Sequence, residues 1–290
     1  MQADRTRPDF LYIGTSKAGS TWLFNVLARH PDVFLASNKG LYYFDAHFDR
    51  GEEWYLGHFE DSGHHGARGE VSHSYLSSPE APARIAELSP AIRLLVCLRE
   101  PVDRAFSDYL DLRKNQQYDG SFEGALEAYP RLLDRGRYAS HLRRYLAVFP
   151  REQLLIQLFD DLKADPQRYA DEVFGFLGVP RLELPSSELR SRMPAGVPRS
   201  PAAAAAAKSA SQLVKRAGLR RLRSRVKRSA RVRQALYRPY ADDRPTPDPA
   251  TVAQLRADFA AEMADLDQLL GVPVSRRWDY EVPTDGSAVR

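Results

Sequence analysis

One loop near the start of the sequence brings together the residue types that bind phosphate groups. Residues 12–23 read YIGTSKAGSTWL, and Gly14 and Gly19 have the spacing of the phosphate-binding pattern G-x-x-x-x-G-K-[ST]. That pattern places a lysine directly after the second glycine, where this sequence has Ser20, and the loop lysine is Lys17. A helix N-terminus with hydroxyl groups and an ammonium group suits a ligand with a charged terminal group. The loop therefore predicts an anion site that needs no metal ion.

A second phosphate-binding group is predicted farther along the chain. In LLVCLREPVDRAFSDYL, Arg99 follows a continuous apolar run and Ser107 stands eight residues later. Arg99 is expected at the carboxyl end of a buried strand, where open α/β sheets place ligands, and its guanidinium can bind phosphate through two hydrogen bonds. The alternatives are an ion pair of Arg99 with Glu100 or Asp103, and a solvated Ser107.

In this order, the two motifs resemble the cofactor-binding signatures of the PAPS-dependent sulfotransferases, PAPS being 3′-phosphoadenosine-5′-phosphosulfate. The resemblance covers roughly residues 9–180 and is closest to the bacterial and heparan-sulfate-type branch. It implies a P-loop fold related to nucleotide kinases, with PAPS as the cofactor, adenosine-3′,5′-bisphosphate (PAP) as the product and no metal ion.

The resemblance also implies roles for individual residues. Lys17 is expected to be catalytic, because it would stabilise the bridging oxygen that gains charge as the S–O bond of PAPS breaks. Arg99 and Ser107 are expected to hold the 3′-phosphate. The implied cofactor-binding residues are Lys17, Ala18, Gly19, Ser20, Thr21, Trp22, Arg99 and Ser107.

The acceptor side of the resemblance is incomplete. Many relatives carry an acid after the lysine of the stretch that reads SNKGLYYFDAHFD here, and this sequence has Gly40 at that position. In GEVSHSYL the sequence keeps Glu70 but has Val71 where heparan-sulfate-type relatives have lysine. We expect the loop around Gly40 to keep its path and to lack only the carboxylate. The residues expected to bind the acceptor are Lys39, Tyr43 and Phe44, with a core role for the aromatic side chains as the alternative.

The identity of the general base is open at this point. Glu70 fits the retained part of the motif, and its alternative role is a buried carboxylate paired with a lysine. Histidine has an ordinary pKa near neutrality, which suits a base, and His73 lies close by in the sequence. Glu70 and His73 are therefore the predicted catalytic residues beside Lys17, and Asp45 and His47 are further alternatives.

Alternating strands and helices are predicted to position these residues. DFLYIG, ARGEVS, AIRLLVCL and QLLIQLF read as strands, while STWLFNVLARH, YASHLRRYLAVFP, DPQRYADEVFGFLGV and the segment that begins at Pro101 read as helices. Ser20 or Thr21 is expected to cap the first helix, STWLFNVLARH. Gly178 is expected to end the helix in DPQRYADEVFGFLGV. This alternation predicts an α/β fold, a parallel sheet flanked by helices.

The sequence is expected to form one domain over residues 1–290. Residues 8–180 would form the α/β core with the PAPS site, residues 181–200 an irregular segment, and residues 201–290 basic and amphipathic helices packed on the core. The residues expected to face inward on the last helix are Val252, Leu255, Phe259, Leu266 and Leu270.

A strongly basic segment lies within this C-terminal part. Twelve Lys or Arg stand between Lys208 and Arg238, without an acid. We expect a solvated helix packed on the domain, with contact to an anionic glycan, lipid or membrane surface as the alternative. No nucleic-acid partner is expected, because no motif that reads bases accompanies the charge.

Composition and motifs together lead to one expected function and two alternatives. A single cysteine, Cys97, and the lack of an apolar run long enough for a membrane span or a signal peptide predict a soluble cytoplasmic protein. The expected activity is sulfuryl transfer from PAPS to a hydroxyl or amine of a carbohydrate, lipid or natural product. A nucleotide kinase, and a PAPS- or anion-binding protein whose catalysis has lapsed, are the alternatives.

Overall fold

The four segments predicted as strands form neighbouring strands of one parallel sheet. The computed structural model describes residues 7–36, 39–63, 65–189, 196–198, 237–239 and 245–281. The five strands are β1 (Phe10–Gly14), β2 (Val33–Leu35), β3 (Ala67–Val71), β4 (Arg93–Leu98) and β5 (Leu154–Leu158), in the order β2-β3-β1-β4-β5. Every neighbouring pair is parallel. The predicted α/β fold is confirmed.

Helices pack on both faces of this sheet. They are α1 (Ser20–Leu27), α2 (Gly51–Leu56), α3 (Ala81–Leu88), α4 (Pro101–Lys114), α5 (Phe122–Ala128), α6 (Arg131–Asp134), α7 (Tyr138–Leu146), α8 (Phe159–Ala164), α9 (Pro166–Leu177), α10 (Ser186–Leu189), α11 (Pro249–Leu270) and α12 (Val274–Arg277). Side chains of β1 alternate between two cores: Leu11 and Ile13 pack with α3, α4, α7 and α11, whereas Phe10 and Tyr12 pack with α1 and α9. Burial on both faces explains why the strands read as continuous apolar runs.

Helix α4 shows how local sequence sets the position of a site residue. Pro101 occupies the first helical turn, and the side chain of Glu100 caps the helix by accepting a hydrogen bond from the Asp103 N–H at 2.5 Å. The predicted apolar face is buried, and it consists of Val102, Ala105, Phe106, Tyr109 and Leu110. With this face turned inward, Ser107 is half-buried at its margin.

The predicted cap of α1 is wrong. Gly19, rather than Ser20 or Thr21, is the N-cap residue, in the left-handed conformation with φ of 82° and without a side-chain cap. Glycine adopts this conformation at little cost, so the turn can be made before the helix starts. The hydroxyls of Ser20 and Thr21 are thereby left to contact a lysine, as described below.

The C-terminal part of the described chain returns to the core. Helix α11 buries Leu255, Phe259 and Leu266 as predicted, while Val252 and Leu270 are partly buried. Two short elements, α10 and the strand β6 (Gly196–Pro198), lie in the segment predicted as irregular, and β6 pairs with the antiparallel strand β7 (Tyr237–Pro239).

Most of the basic segment, residues 208–236, lies outside the described residues. Among the helices that the structure does describe, none combines the length and the apolar character needed to cross a membrane.

Candidate functional site

The phosphate-binding loop lies where three neighbouring strands end. It follows β1, and β1 pairs with β3 on one side and β4 on the other. The Thr15 N–H donates to the Cys97 carbonyl oxygen at 3.0 Å, and the Tyr12 hydroxyl donates to the Thr15 carbonyl oxygen at 2.9 Å. A β-carbon at Gly19 would lie 2.5 Å from Leu162 Cδ2, so packing as well as backbone conformation requires glycine there.

The two predicted motifs meet at this edge of the sheet. Arg99 follows β4, and its Nη1 donates a hydrogen bond to the Lys17 carbonyl oxygen at 3.0 Å. The guanidinium also lies 5.1 Å from the ring centroid of Phe159. The alternative partner Asp103 is 3.8 Å away and 67% exposed, which makes a weak ion pair. Arg99 therefore holds the phosphate-binding loop from the neighbouring strand.

The side chain of Lys17 points towards α4. Its Nζ lies 3.3 Å from Oδ1 of Asp111, which stands one helical turn after Ser107 on that helix. Lys17 itself has a left-handed backbone with φ of 65°. The loop lysine and Ser107 thus belong to the same side of the site.

A second lysine joins the loop. Nζ of Lys39 donates to Ser20 Oγ at 3.0 Å and to Thr21 Oγ1 at 2.5 Å. Burial, and secondly the charge of Lys17, lower the pKa of Lys39 to about 8. Lys39 was predicted to bind the acceptor, and the structure instead places it against the predicted cofactor loop. Two neighbouring ammonium groups with a helix N-terminus favour the binding of an anion.

Two of the predicted cofactor-binding residues support the loop from behind. The Ala18 and Trp22 side chains are 1% and 4% exposed. Trp22 Nε1 donates to the Glu188 carbonyl oxygen in α10 at 3.0 Å, and its ring lies edge-on to Tyr169. Both residues are buried, main chain included, so their packing holds the loop in place.

Glu70 is a buried carboxylate that is fully hydrogen-bonded. Its Oε2 accepts from Ser72 Oγ at 2.6 Å and from the Leu41 N–H at 3.4 Å. Its Oε1 accepts from the hydroxyls of Tyr75 and Tyr55 at 2.7 and 3.2 Å. Burial raises its pKa to about 7, although these hydrogen bonds favour the charged form. The four donors fill the acceptor positions of the carboxylate, so the geometry favours a role in fixing the loop 39–45.

Tyr43 and Phe44 do not face an acceptor. They are 4% and 0% exposed, and Tyr43 stacks on Tyr55 with a centroid distance of 4.5 Å and an interplanar angle of 12°. In this arrangement both side chains lie among the aromatic residues of the core. The alternative core role holds.

Asp45 and His47, the further candidates for the general base, lie apart from the phosphate-binding loop in their contacts. Oδ2 of Asp45 accepts from Ser74 Oγ, and its Oδ1 accepts from the Ala46 N–H at 2.6 Å. His47 is exposed, with its ring 6.3 Å from that of Trp54. Neither residue contacts the phosphate-binding loop in the interactions that the structure gives them.

The space at Gly40 is filled by another side chain. Gly40 donates its N–H to the Val71 carbonyl oxygen at 2.9 Å and has φ of 78°. A β-carbon at this position would come within 2.6 Å of the Tyr42 ring. An acidic side chain at this position would therefore have to displace the Tyr42 ring and to adopt a left-handed backbone.

Tyr42 in turn contacts His73, which follows β3. The Tyr42 hydroxyl and His73 Nε2 are 2.8 Å apart. Burial, then the charges of Lys39 and Arg135, lower the pKa of His73 to about 4, so the imidazole is neutral near pH 7. The His73 carbonyl oxygen would lie 3.3 Å from a β-carbon at Gly14, which places this residue beside the start of the phosphate-binding loop.

Arg104 is a loop-supporting residue that sequence analysis missed. It is 0% exposed; its Nη1 donates to Ser16 Oγ at 3.2 Å and to Asp108 Oδ2 at 3.3 Å, and its Nη2 donates to the Leu132 carbonyl oxygen. Asp108 also pairs with Arg135 at 3.2 Å. The sequence signal that could have identified Arg104 is its position in the first turn of α4, because this turn directly follows Arg99.

Comparison with known proteins agrees with this geometry. The family described as "Sulfotransferase domain" matches residues 7–191. The chain is 34% identical over 194 residues to the bifunctional heparan sulfate N-deacetylase/N-sulfotransferase 3 of Homo sapiens, which covers 59% of this chain and 22% of that protein. It is 31% identical over 190 residues to the heparan sulfate glucosamine 3-O-sulfotransferase 3A1 of Homo sapiens, covering 62% of this chain and 47% of that protein.

The chain spans less than half the length of either relative. Among solved structures, a sulfotransferase from Alicyclobacillus acidocaldarius aligns with a TM-score of 0.70 over 94% of this chain and 99% of that chain, at 24% identity. This likeness concerns the fold. Since the family match covers more than half of the sequence, the chain belongs to the sulfotransferase domain family.

Proposed function

We propose that the protein transfers the sulfuryl group of PAPS to a hydroxyl or amine of an acceptor. The observation that carries the proposal is the direct contact between the two motifs, in which Arg99 donates to the Lys17 carbonyl oxygen and Lys39 binds the loop hydroxyls. Arginine and lysine side chains of separate elements thus surround one helix N-terminus. This arrangement fits a nucleotide with two separate anionic groups.

Each end of the nucleotide has residues suited to it. Loop amides with Ser20 and Thr21 would hold the 5′-phosphosulfate, and Arg99 with Ser107 would hold the 3′-phosphate. PAPS supplies an activated sulfuryl group when it is bound. The Lys17 ammonium would stabilise the charge on the departing oxygen, an effect that is strongest in the transition state.

A carbohydrate is the acceptor class that we propose. The two relatives described above are named as enzymes that act on heparan sulfate. The side of the site next to Lys39 also carries Arg135, which pairs with Asp108 and whose charge reaches both His73 and Tyr42. A cationic wall of this kind suits an acidic saccharide.

Turnover of labelled PAPS tests this function. We expect transfer of ³⁵S-sulfate to a heparan-type oligosaccharide, compared in parallel with lipid and small phenolic or amine acceptors. Arg99→Ala should remove transfer, whereas Arg168→Ala, an exposed arginine on α9, should retain it as the matched control. Transfer to no acceptor, with PAP bound normally, would contradict the proposal.

That last outcome defines the second candidate function, a PAPS-binding protein without efficient turnover. Gly40 in place of an acid and a Glu70 whose oxygens are all occupied are the observations that favour it. A nucleotide kinase, in contrast, would show ATP turnover that depends on Mg²⁺, which the same assay measures with labelled ATP.

A further inference from the structure

Tyr42 and His73 form a hydrogen-bonded pair between the Lys39 loop and the phosphate-binding loop. The Tyr42 hydroxyl lies 2.8 Å from His73 Nε2, and the rings meet edge-on with centroids 5.4 Å apart. Tyr42 holds a left-handed backbone with φ of 53°, which is unusual for an aromatic residue. That backbone directs the ring over Gly40, where a β-carbon would lie 2.6 Å from the ring.

Tyr42 and His73 differ in burial from the residues around them. Each is half-buried, unlike the neighbouring Tyr43, Phe44 and Glu70, which are buried. His73 Nδ1 is buried, and among the residues that the structure describes it has no hydrogen-bond partner. The Tyr42 hydroxyl and the His73 imidazole thus lie between the Lys39 loop, which contacts Ser20, and the start of the phosphate-binding loop at Gly14.

Charged groups of several elements face the pair. Lys39 and Arg135 act on His73 from the loop and from the end of α6, and Asp108 acts on it from α4. Asp45, Glu70 and Arg135 act on Tyr42. Burial, and then the charges of Lys39 and Arg135, keep the imidazole neutral and make it a weaker base than an ordinary histidine, whereas bound PAPS would offset the charge of Lys39 and raise the pKa of His73.

We propose that Tyr42 and His73 act as one unit that removes the proton of the acceptor. This proposal rests on the proposed sulfuryl transfer. As the acceptor oxygen or nitrogen forms its bond to sulfur, its proton passes to the Tyr42 hydroxyl oxygen, and the Tyr42 proton passes to His73 Nε2. The bond between sulfur and the bridging oxygen of PAPS breaks, and its electron pair stays on that oxygen beside Lys17. His73 later releases the proton to water.

The relay requires a defined tautomer and a division of roles. His73 must carry its proton on Nδ1, because Nε2 has to accept the proton of Tyr42. Tyr42 would be the catalytic residue that touches the acceptor. His73 would be a positioning residue that acts through Tyr42 and stores the proton.

A double-mutant cycle tests this unit on an acceptor that the wild-type protein sulfates. We expect Tyr42→Phe and His73→Gln each to lower kcat by about 10²–10⁴-fold, the usual contribution of general base catalysis, with KM for PAPS and affinity for PAP unchanged. The double variant should be no slower than the slower single variant, because residues that act as a unit are not additive. Tyr129→Phe, which removes an exposed hydrogen bond to the Gln117 carbonyl oxygen, is the matched control and should keep wild-type kcat.

The outcomes separate this proposal from the proposed function. Near wild-type kcat in folded Tyr42→Phe, or additive losses in the cycle, would overturn the relay while sulfuryl transfer by the wild-type protein stands. A loss of PAP affinity in either variant would also overturn it, since it would indicate a structural role. No transfer by the wild-type protein to any acceptor would overturn both. Thermal melts of each variant establish that it is folded.

Discussion

At the scale of single residues, the environment of a side chain decides what it can do. Sequence analysis left Glu70 and His73 both open as bases, with Glu70 fitting the retained motif, yet Glu70 is enclosed by four hydrogen-bond donors and the His73 side chain contacts the Tyr42 hydroxyl. Nothing in a single sequence reports such enclosure, because it depends on tyrosines that arrive from α2 and from the turn after β3. The same holds for Tyr42, whose position over Gly40 depends on a left-handed backbone.

The first prediction concerns Glu70 and pH. A carboxyl whose pKa is raised from 4.5 to about 7 on folding stabilises the folded state fully below pH 4.5, and this stabilisation is lost as the pH rises through 7. The loss is on the order of 3 kcal/mol. Glu70→Gln cannot ionise, so its free energy of unfolding should lack this decline between pH 4.5 and 8. Urea unfolding at several pH values measures the free energy of unfolding of both proteins. If this free energy changed with pH in the same way for the wild type and Glu70→Gln, the prediction would be contradicted.

The second prediction concerns Lys17. Its charge should matter most as the leaving oxygen becomes negative, so Lys17→Ala should lower kcat by about 10²–10³-fold while weakening PAPS binding less. Steady-state kinetics on a sulfated acceptor measures both constants. If the variant raised only KM for PAPS, Lys17 would be a binding residue and no more. Arg168→Ala again provides the matched loss of a positive charge.

The third prediction concerns Gly40. Gly40→Glu would strain a backbone with φ of 78° and drive its β-carbon into the Tyr42 ring, so the added acid should fail to raise turnover and should lower the melting temperature. Gly51→Glu is the matched control, because Gly51 has the same φ of 78° with no atom within 4 Å of its β-carbon position. A folded Gly40→Glu protein with faster turnover would show that a carboxylate alone was missing.

At the scale of elements, sequence analysis was strongest where burial imposes a regular pattern, on both faces of β1 and β4 and on one face of α4. The strands β1, β4 and β5 and the helix α4 were predictable from apolar runs and helical spacing, since burial imposes these patterns. The strand β2 was missed because three residues carry too little pattern, and the cap of α1 was missed because backbone conformation at Gly19 replaced a side-chain cap.

The fourth prediction tests the turn into α1. Gly19→Ala adds a left-handed strain of roughly 1–2 kcal/mol and a contact of 2.5 Å with Leu162 Cδ2, so it should destabilise the protein and weaken PAP binding. Gly271→Ala, at a left-handed position with open space, shares the strain without the contact. Differential scanning calorimetry should therefore show the larger loss for Gly19→Ala. Equal losses would contradict a packing role for this glycine.

At the scale of the whole molecule, the strand order explains how distant motifs form one site. Lys17 and Arg99 are far apart in sequence, but β1 and β4 are neighbours, so the loops at their carboxyl ends meet. The β3 segment adds His73 on the other side of β1. Sequence motifs could predict that the two cofactor-binding loops meet. The acceptor side could not be predicted in this way, because it depends on contacts among loops that no motif encodes.

The most direct test of the account is calorimetry of the wild-type protein with PAP and with AMP, without Mg²⁺. Arg99 and Ser107 are proposed to bind the 3′-phosphate, and a hydrogen bond to a charged group contributes about 1.5–3 kcal/mol, so PAP should bind at least about tenfold more tightly than AMP. Arg99→Ala should reduce this difference, and Arg168→Ala should leave it unchanged. Equal affinity of the wild-type protein for the two nucleotides would contradict the central claim that the two motifs form one site for a 3′-phosphorylated nucleotide.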